Sequence, residues 1–232
     1  MTGTLTPARV GDRRPWSVLV VDDHELVRTA LVIVLHEEGF AAHPCEASTL
    51  QAILAEADRH TPGLVLLDLH LGSGRNGATI SGVDAVRPLR ARGWSVLVVS
   101  GGHSRAQIAA AIAAGAIGEV SKSQPLPALV RTVVDIAAGR SVLSRETREA
   151  WLALDRQFGA AAARRSARLA RLSARERAVL DRLVQGHRAA AIADEFVVSL
   201  TTVRTQIRSI LCKLDVGSQL EAVALAQQDR TW

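Results

Sequence analysis

Val18-Leu19-Val20-Val21-Asp22-Asp23-His24 is the stretch whose reading decides the fold. Four consecutive apolar residues, three of them β-branched, suit a strand buried on both faces, and the run stops on two adjacent carboxylates. Working outward, Ser17–Val21 is followed by four further strand candidates: Ala41–Cys45, Leu64–Asp68, Ser95–Ser100 and Ile117–Val120. Helical periodicity fills the gaps near 24–38, 47–59, 82–92 and 105–114, and a fifth helix at 125–138 follows the last strand. Gly39, Gly63, Gly93 and Gly115 fall where helices end. Five strands alternating with five helices predict an α/β domain, a doubly wound parallel (βα)5 sheet over about 16–140.

Strand ends then carry the chemistry. Asp22 and Asp23 close the first strand, Asp68 the third and Ser100 the fourth, and Lys122 follows the fifth. Right-handed crossovers bring these ends to one edge of the sheet. Three converging carboxylates repel one another, and a hard cation with oxygen ligands, Mg²⁺, relieves that conflict at Asp22, Asp23 and Asp68. Asp68 is then placed as a nucleophile toward a phosphoryl group, with Lys122 and the Ser100 hydroxyl able to meet its oxygens. The chain has only two lysines, Lys122 and Lys213, against 26 arginines. One of the two falls where phosphate chemistry asks for a compact ammonium. Taken singly, an Asp after a strand is more often a cap or turn residue than a ligand, and Ser100 could simply cap the turn into Gly101-Gly102.

The carboxyl-terminal third has another grammar. Ser173-Ala-Arg-Glu176 is a capping box opening a helix that stops at Gly186. A second helix is expected at about 188–196, and Ser199 caps a third running to Leu214. Val203, Ile207, Ile210, Leu211 and Leu214 lie on the inner face of that helix, which leaves Arg204, Thr205 and Arg208 facing outward. Such a face suits the major groove of double-stranded DNA, although a solvated amphipathic helix has the same pattern. Ser218-Gln-Leu-Glu221 opens a final helix, whose Ala222, Val223, Leu225 and Ala226 suit a dimer surface or ordinary core.

Bulk properties agree with this division. The net charge of +5 arises entirely after residue 140, where Arg and Lys outnumber acids by 15 to 10. A neutral front and a basic rear point to a polyanionic partner for the rear alone. Cys45 and Cys212 stand far apart, which implies no disulfide framework and fits a reducing cytoplasm. No apolar run approaches the roughly 20 residues needed to span a bilayer, so no membrane partner is expected. Residues 1–15 lack the apolar centre of a signal peptide and are expected to be a disordered leader. Residues 141–170 form a linker, expected to be partly helical because Trp151, Leu154 and Phe158 recur at helical spacing; a tether with scattered apolar residues is slightly preferred over a packing helix.

The motifs Val18–His24, Val65-Leu-Leu-Asp-Leu69 and Val98-Val-Ser100 resemble the receiver domain of response regulators, and 171–232 resembles the LuxR-type helix-turn-helix domain. Together they resemble a NarL/FixJ-type regulator. The resemblance implies Asp68 as phosphoacceptor, Asp22 and Asp23 as Mg²⁺ acids, and Ser100 with Lys122 as the switch pair. It also implies base contacts from Arg204, Thr205 and Arg208, and phosphate contacts from Thr201, Thr202 and Gln206. Lys213 suits a phosphate contact or a solvated helix end. A sensor histidine kinase as phosphodonor, homodimerisation and a regulatory rather than enzymatic role follow from the same likeness.

Two departures stand out. The position four residues after Asp68, usually Pro, is Gly72, and the matching glycine is Gly82, so an insertion of about six residues overhangs the cleft. Glu119 occupies the place of an aromatic switch residue three positions before Lys122. Both admit an alternative in which a ligand or partner, rather than phosphorylation, controls DNA binding. Gly72-Ser-Gly74-Arg-Asn-Gly77 matches the dinucleotide pattern GxGxxG, but no helix opens at its last glycine, which argues against an α/β oxidoreductase.

Overall fold

The computed structural model describes residues 15–46, 49–73, 79–102 and 104–230. The leader, most of the glycine-rich stretch of the insertion and the expected start of the second helix at 47–48 lie outside them. Two compact units are present, Met1–Asp155 and Arg156–Trp232.

In the first unit the strands β1 (Ser17–Val21), β2 (Ala41–Cys45) and β3 (Leu64–Leu67) alternate with the helices α1 (Glu25–Glu37) and α2 (Leu50–Ala57). A two-stranded hairpin, β4 (His70–Ser73) and β5 (Thr79–Ser81), follows. Then come α3 (Val83–Ala91), β6 (Ser95–Ser100), α4 (Arg105–Ala113), β7 (Gly118–Ser121) and α5 (Leu126–Ala137). The main sheet is wholly parallel, in the order β2-β1-β3-β6-β7.

Side chains alternate across this sheet with a period of two, and both faces are covered. Leu19, Val21, Val65, Leu67, Val96 and Val98 pack with Ile53, Leu89 and Ile112 beneath α2, α3 and α4. Val18, Val20, Leu64, Leu66, Leu97 and Val99 pack with Leu31, Leu35, Leu129 and Val133 of α1 and α5. That double burial explains why the strands are unbroken apolar runs. Chain order reverses direction between β1 and β3, and a sheet of this type opens its crevice at such a point, beyond the carboxyl ends of the strands.

Among the described residues, the segment after Asp68 begins and ends in paired strands. His70 pairs with Ser81 and Ser73 with Thr79, antiparallel and with a register irregularity between them. Within the segment expected to be a partly helical linker, α6 runs unbroken over Arg145–Leu169, and none of its residues is buried. Ser144 starts it by accepting the Thr147 N–H at 3.1 Å. Ala and Arg, among the strongest helix formers, dominate its second half and carry it past Gly159.

The second unit holds the rest of α6 with α7 (Ala174–Val184), α8 (Ala189–Glu195), α9 (Leu200–Leu214) and α10 (Gln219–Arg230). Val179, Leu180, Leu183, Ile192, Val203, Ile210, Leu214 and Ala222 form its core. Helix boundaries follow local chemistry. Ser173 and Glu176 make the reciprocal capping box, and Ser199 accepts the Thr202 N–H at 3.1 Å. Gly186, with φ of 86°, turns the chain out of α7. Among the described residues no helix is long and apolar enough to cross a membrane.

Candidate functional site

Asp22 follows β1 and Asp68 follows β3, so adjacency of those strands sets the two carboxylates side by side. Both side chains are buried, each residue 2% exposed. The Asp68 N–H still bonds the Val21 carbonyl at 2.9 Å, which extends the strand pairing one step and fixes where its side chain emerges. Lys122, one residue past β7, reaches both acids: its Nζ lies 2.7 Å from Asp22 Oδ2 and 2.5 Å from Asp68 Oδ2. Burial alone would pull the Lys122 ammonium down. Hydrogen bonds donated to Asp22 and Asp68, with the charges of both, outweigh burial and raise it above its ordinary value.

Asp22, Asp23, His24 and Asp68 bring ligand atoms within 4.8 Å of one another. The carboxylates are hard oxygen donors in excess of the local positive charge, a set that fits a small divalent cation. His24 Nδ1 lies 2.7 Å from Asp23 Oδ1 and 3.2 Å from Asp22 Oδ1. Asp22 is braced further by the His24 N–H at 2.8 Å, while buried Arg28 donates to the Asp22 carbonyl at 2.7 Å. A cleft of about 430 Å³ opens over these groups, lined by His24, Val27, Asp68, His70, Gly101, Gly102 and Lys122.

The hairpin is tied to this cleft at its root. The His70 N–H donates to Asp68 Oδ1 at 3.0 Å, and the Gly82 N–H returns to the Leu69 carbonyl at 3.0 Å. A Cβ on Gly82 would stand 2.2 Å from the Asp68 carbonyl oxygen, so only glycine lets the chain rejoin the fold there. At Gly72, φ is 67° and a Cβ would meet Asp23 Oδ2 at 3.2 Å. Ser100 is buried at the end of β6, and its hydroxyl donates to the Glu119 carboxylate on β7. Sequence reasoning placed Asp22, Asp23, Asp68, Ser100 and Lys122 at this edge, and the structure brings them together. It missed His24, Arg28 and His70; His24 and His70 stand within two positions of Asp22 and Asp68, and Arg28 had no such signal.

In the second unit, Thr201, Thr202, Arg204, Thr205 and Arg208 are exposed along one side of α9 while Val203 and Ile210 are buried. The Thr202 hydroxyl shares a hydrogen bond with Ser199, and that of Thr205 donates to the Thr201 carbonyl at 3.0 Å. Gln206 is half-buried, and its Oε1 meets no donor among the described residues. Lys213 is neither free nor simply solvated, because its Nζ lies 2.6 Å from Glu176 Oε2. Glu176 also accepts from the Ser209 hydroxyl at 2.6 Å and the Ser173 N–H at 2.7 Å. Lys213 first, then Ser209 and Ser173, hold the Glu176 carboxyl down to about 2. The capping residue of α7 is therefore also the anchor of α9. Arg182 pairs with Glu195 at 2.6 Å and Arg175 lies 4.1 Å above the Phe196 ring, fixing α7 against α8. On α10, Ala222 and Ala226 belong to the core of this unit.

Comparison with known proteins agrees with both halves. The model for the response regulator receiver domain matches residues 18–134, and that for bacterial regulatory proteins of the luxR family matches 170–226. The chain is 33% identical over 213 residues to the probable transcriptional regulatory protein NarL of Mycobacterium tuberculosis, covering 92% of this chain and 94% of that one. It is 30% identical to the DNA-binding transcriptional activator DevR/DosR of the same organism, over 91% and 94% of the two chains. Among solved structures, the RcsB response regulator of Salmonella typhimurium shares the fold, with a TM-score of 0.51 at 18% identity over 91% of this chain and 99% of that one. Since a receiver model spans half the chain and a relative one-third identical spans nearly all of it, the chain belongs to the two-component response regulators that pair a receiver domain with a luxR-family domain.

Proposed function

We propose that this chain is a transcription regulator whose DNA binding is controlled by phosphorylation of Asp68. The observation that carries the reading is the Lys122 ammonium held between the buried Asp22 and Asp68 carboxylates at an open cleft. An Asp68 oxygen attacks the phosphorus of a phosphohistidine on a sensor kinase, or of acetyl phosphate. The P–N bond, or the P–O bond to acetate, breaks as the acyl phosphate forms. Lys122 exchanges its contact with Asp68 for one with a phosphoryl oxygen, and the Ser100 hydroxyl is assigned to another once it leaves Glu119. Asp22, Asp23 and Asp68 would hold Mg²⁺, which supplies neutralisation of the charge that builds up during transfer. The phosphoryl group is a signal rather than a product, so the chain acts as a regulator and not as an enzyme.

The output is read through α9. Arg204, Thr205 and Arg208 are assigned to base edges in the major groove of double-stranded DNA, and Thr201, Thr202 and Gln206 to flanking phosphates. Lys213 is assigned to holding α9 on α7 through Glu176 rather than to a phosphate. A homodimer would present two copies of α9 to half-sites about one helical turn apart. Histidine-kinase phosphotransfer and operator DNA both place the work in the cytoplasm.

A second reading, control by a ligand or partner, is favoured by one observation: the Ser100 hydroxyl is already committed to Glu119. Phosphotransfer separates the two. The wild-type chain should take label from acetyl phosphate or a kinase and change its DNA footprint, and Asp68→Asn should do neither while keeping its circular dichroism. An unlabelled wild type that still binds DNA would favour ligand control.

A further inference from the structure

We infer that Glu119 is a positioning residue that withholds the Ser100 hydroxyl from the phosphoryl group and so shortens the life of the phosphorylated state; this rests on Asp68 being the phosphoacceptor. Ser100 and Glu119 sit on neighbouring parallel strands, with Val98 opposite Glu119 and Ser100 opposite Ser121. Ser100 is buried, and its backbone carbonyl is already engaged by the Lys122 N–H at 2.5 Å. Its side chain therefore has one proton to give, and that proton goes to a Glu119 carboxylate oxygen.

The competition has two parts. A hydroxyl cannot donate the same proton to Glu119 and to a phosphoryl oxygen, so phosphorylation must break the existing bond or forgo the new one. Breaking it also leaves the half-buried Glu119 carboxylate without its donor. Among the described residues no Lys, Arg or His pairs with Glu119 to compensate. The arriving group carries up to about two negative charges, which repel that carboxylate. An uncharged residue at 119 would remove the repulsion and most of the competition. The arrangement thus tilts the receiver toward its unphosphorylated form without touching Asp68 itself.

The same geometry bears on how the acyl phosphate is lost. Hydrolysis proceeds when water attacks phosphorus and the bond to Asp68 breaks, releasing inorganic phosphate and restoring the carboxylate. A Ser100 hydroxyl bonded to the phosphoryl oxygen stabilises the ground state that water must attack, whereas one held by Glu119 does not.

The test uses the full chain with Mg²⁺, beryllofluoride as a phosphoryl mimic and acetyl phosphate as donor, in wild type, Glu119→Gln, Glu119→Ala, Ser100→Ala and the double variant Ser100→Ala/Glu119→Gln. Either Glu119 variant should bind beryllofluoride about tenfold more tightly and retain label about tenfold longer, the scale of one hydrogen bond to a charged group. The Glu119→Gln gain should largely vanish in the Ser100→Ala background, which a general effect on charge or folding would not produce. Equal affinities and lifetimes in wild type and both Glu119 variants would overturn the inference alone. So would a gain that survives intact without Ser100. If neither wild type nor Glu119→Gln takes label or beryllofluoride while remaining folded, the phosphoacceptor reading fails and this inference fails with it.

Discussion

The Lys213 ammonium stands 2.6 Å from Glu176 Oε2, so the end of α9 is tied to the first turn of α7. Glu176 meets three other groups at once, the Ser173 backbone, the Ser173 hydroxyl through its own N–H, and Ser209. A single carboxylate thereby sets the spacing of the two helices that position the exposed arginines.

That anchor predicts acid sensitivity confined to the helical domain. The Glu176 carboxyl is lowered from 4.5 to about 2, chiefly by Lys213, so its contribution is fully present above about pH 4.5. It fades as pH falls from there toward about 2, because the unfolded chain takes up the proton first. Glu176→Gln should remove this dependence and cost about 1–3 kcal/mol near neutrality, read as helix content against temperature at several pH values. A melting profile that is equally pH-dependent in the variant would refute the assignment.

Lys122→Met should leave Asp22 and Asp68 buried without their shared cation. The receiver should lose about 3 kcal/mol or more of stability, and Mg²⁺ should restore a larger part of it than it adds to wild type. Thermal midpoints with and without millimolar Mg²⁺ measure both effects. Equal Mg²⁺ gains in the two proteins would show that these acids do not share a cation site.

Arg204→Ala should weaken specific DNA binding by about 1–3 kcal/mol and relax base preference at one position of the operator. Substituting Thr201 or Thr202 should weaken binding to all sequences alike. Footprints and salt titrations distinguish these outcomes, and an unaltered footprint for Arg204→Ala would remove it from the groove.

Val197, in the turn between α8 and α9, has φ of 54° and is 90% exposed. A β-branched residue is strained in that left-handed conformation and here receives little packing in return. Val197→Gly should raise the stability of the helical domain by about 0.5–1 kcal/mol, the relief of strain exceeding the added chain entropy of glycine. Calorimetry of the full chain would detect it as a higher midpoint for one of two transitions.

Much of this was legible in the residues because local and global signals coincide. Apolar runs ending in acids gave β1 and β3 to within a residue, and capping boxes at Ser173 and a serine cap at Ser199 gave α7 and α9 their starts. Where signals conflicted, the reading fell short. The hairpin after Asp68 has strands of only four and three residues, His70–Ser73 and Thr79–Ser81, with Gly72 in the first, too short for an alternating pattern to show. Residues Arg145–Leu169 have too few apolar positions to advertise a buried face, and indeed none of them is buried; intrinsic helix preference carries the segment instead. The ion pair of Lys213 was not legible for a related reason. Its partner Glu176 lies 37 positions away, beyond the reach of any local pattern.

With so few primary amines, the polypeptide carries its own reporters. Both lysines are clasped by carboxylates, Lys122 in the receiver and Lys213 in the luxR-family domain. Reductive methylation with isotopically enriched formaldehyde would label each lysine alongside the terminal α-amine, so a titration with Mg²⁺ or with an oligonucleotide could be followed in both units in a single spectrum.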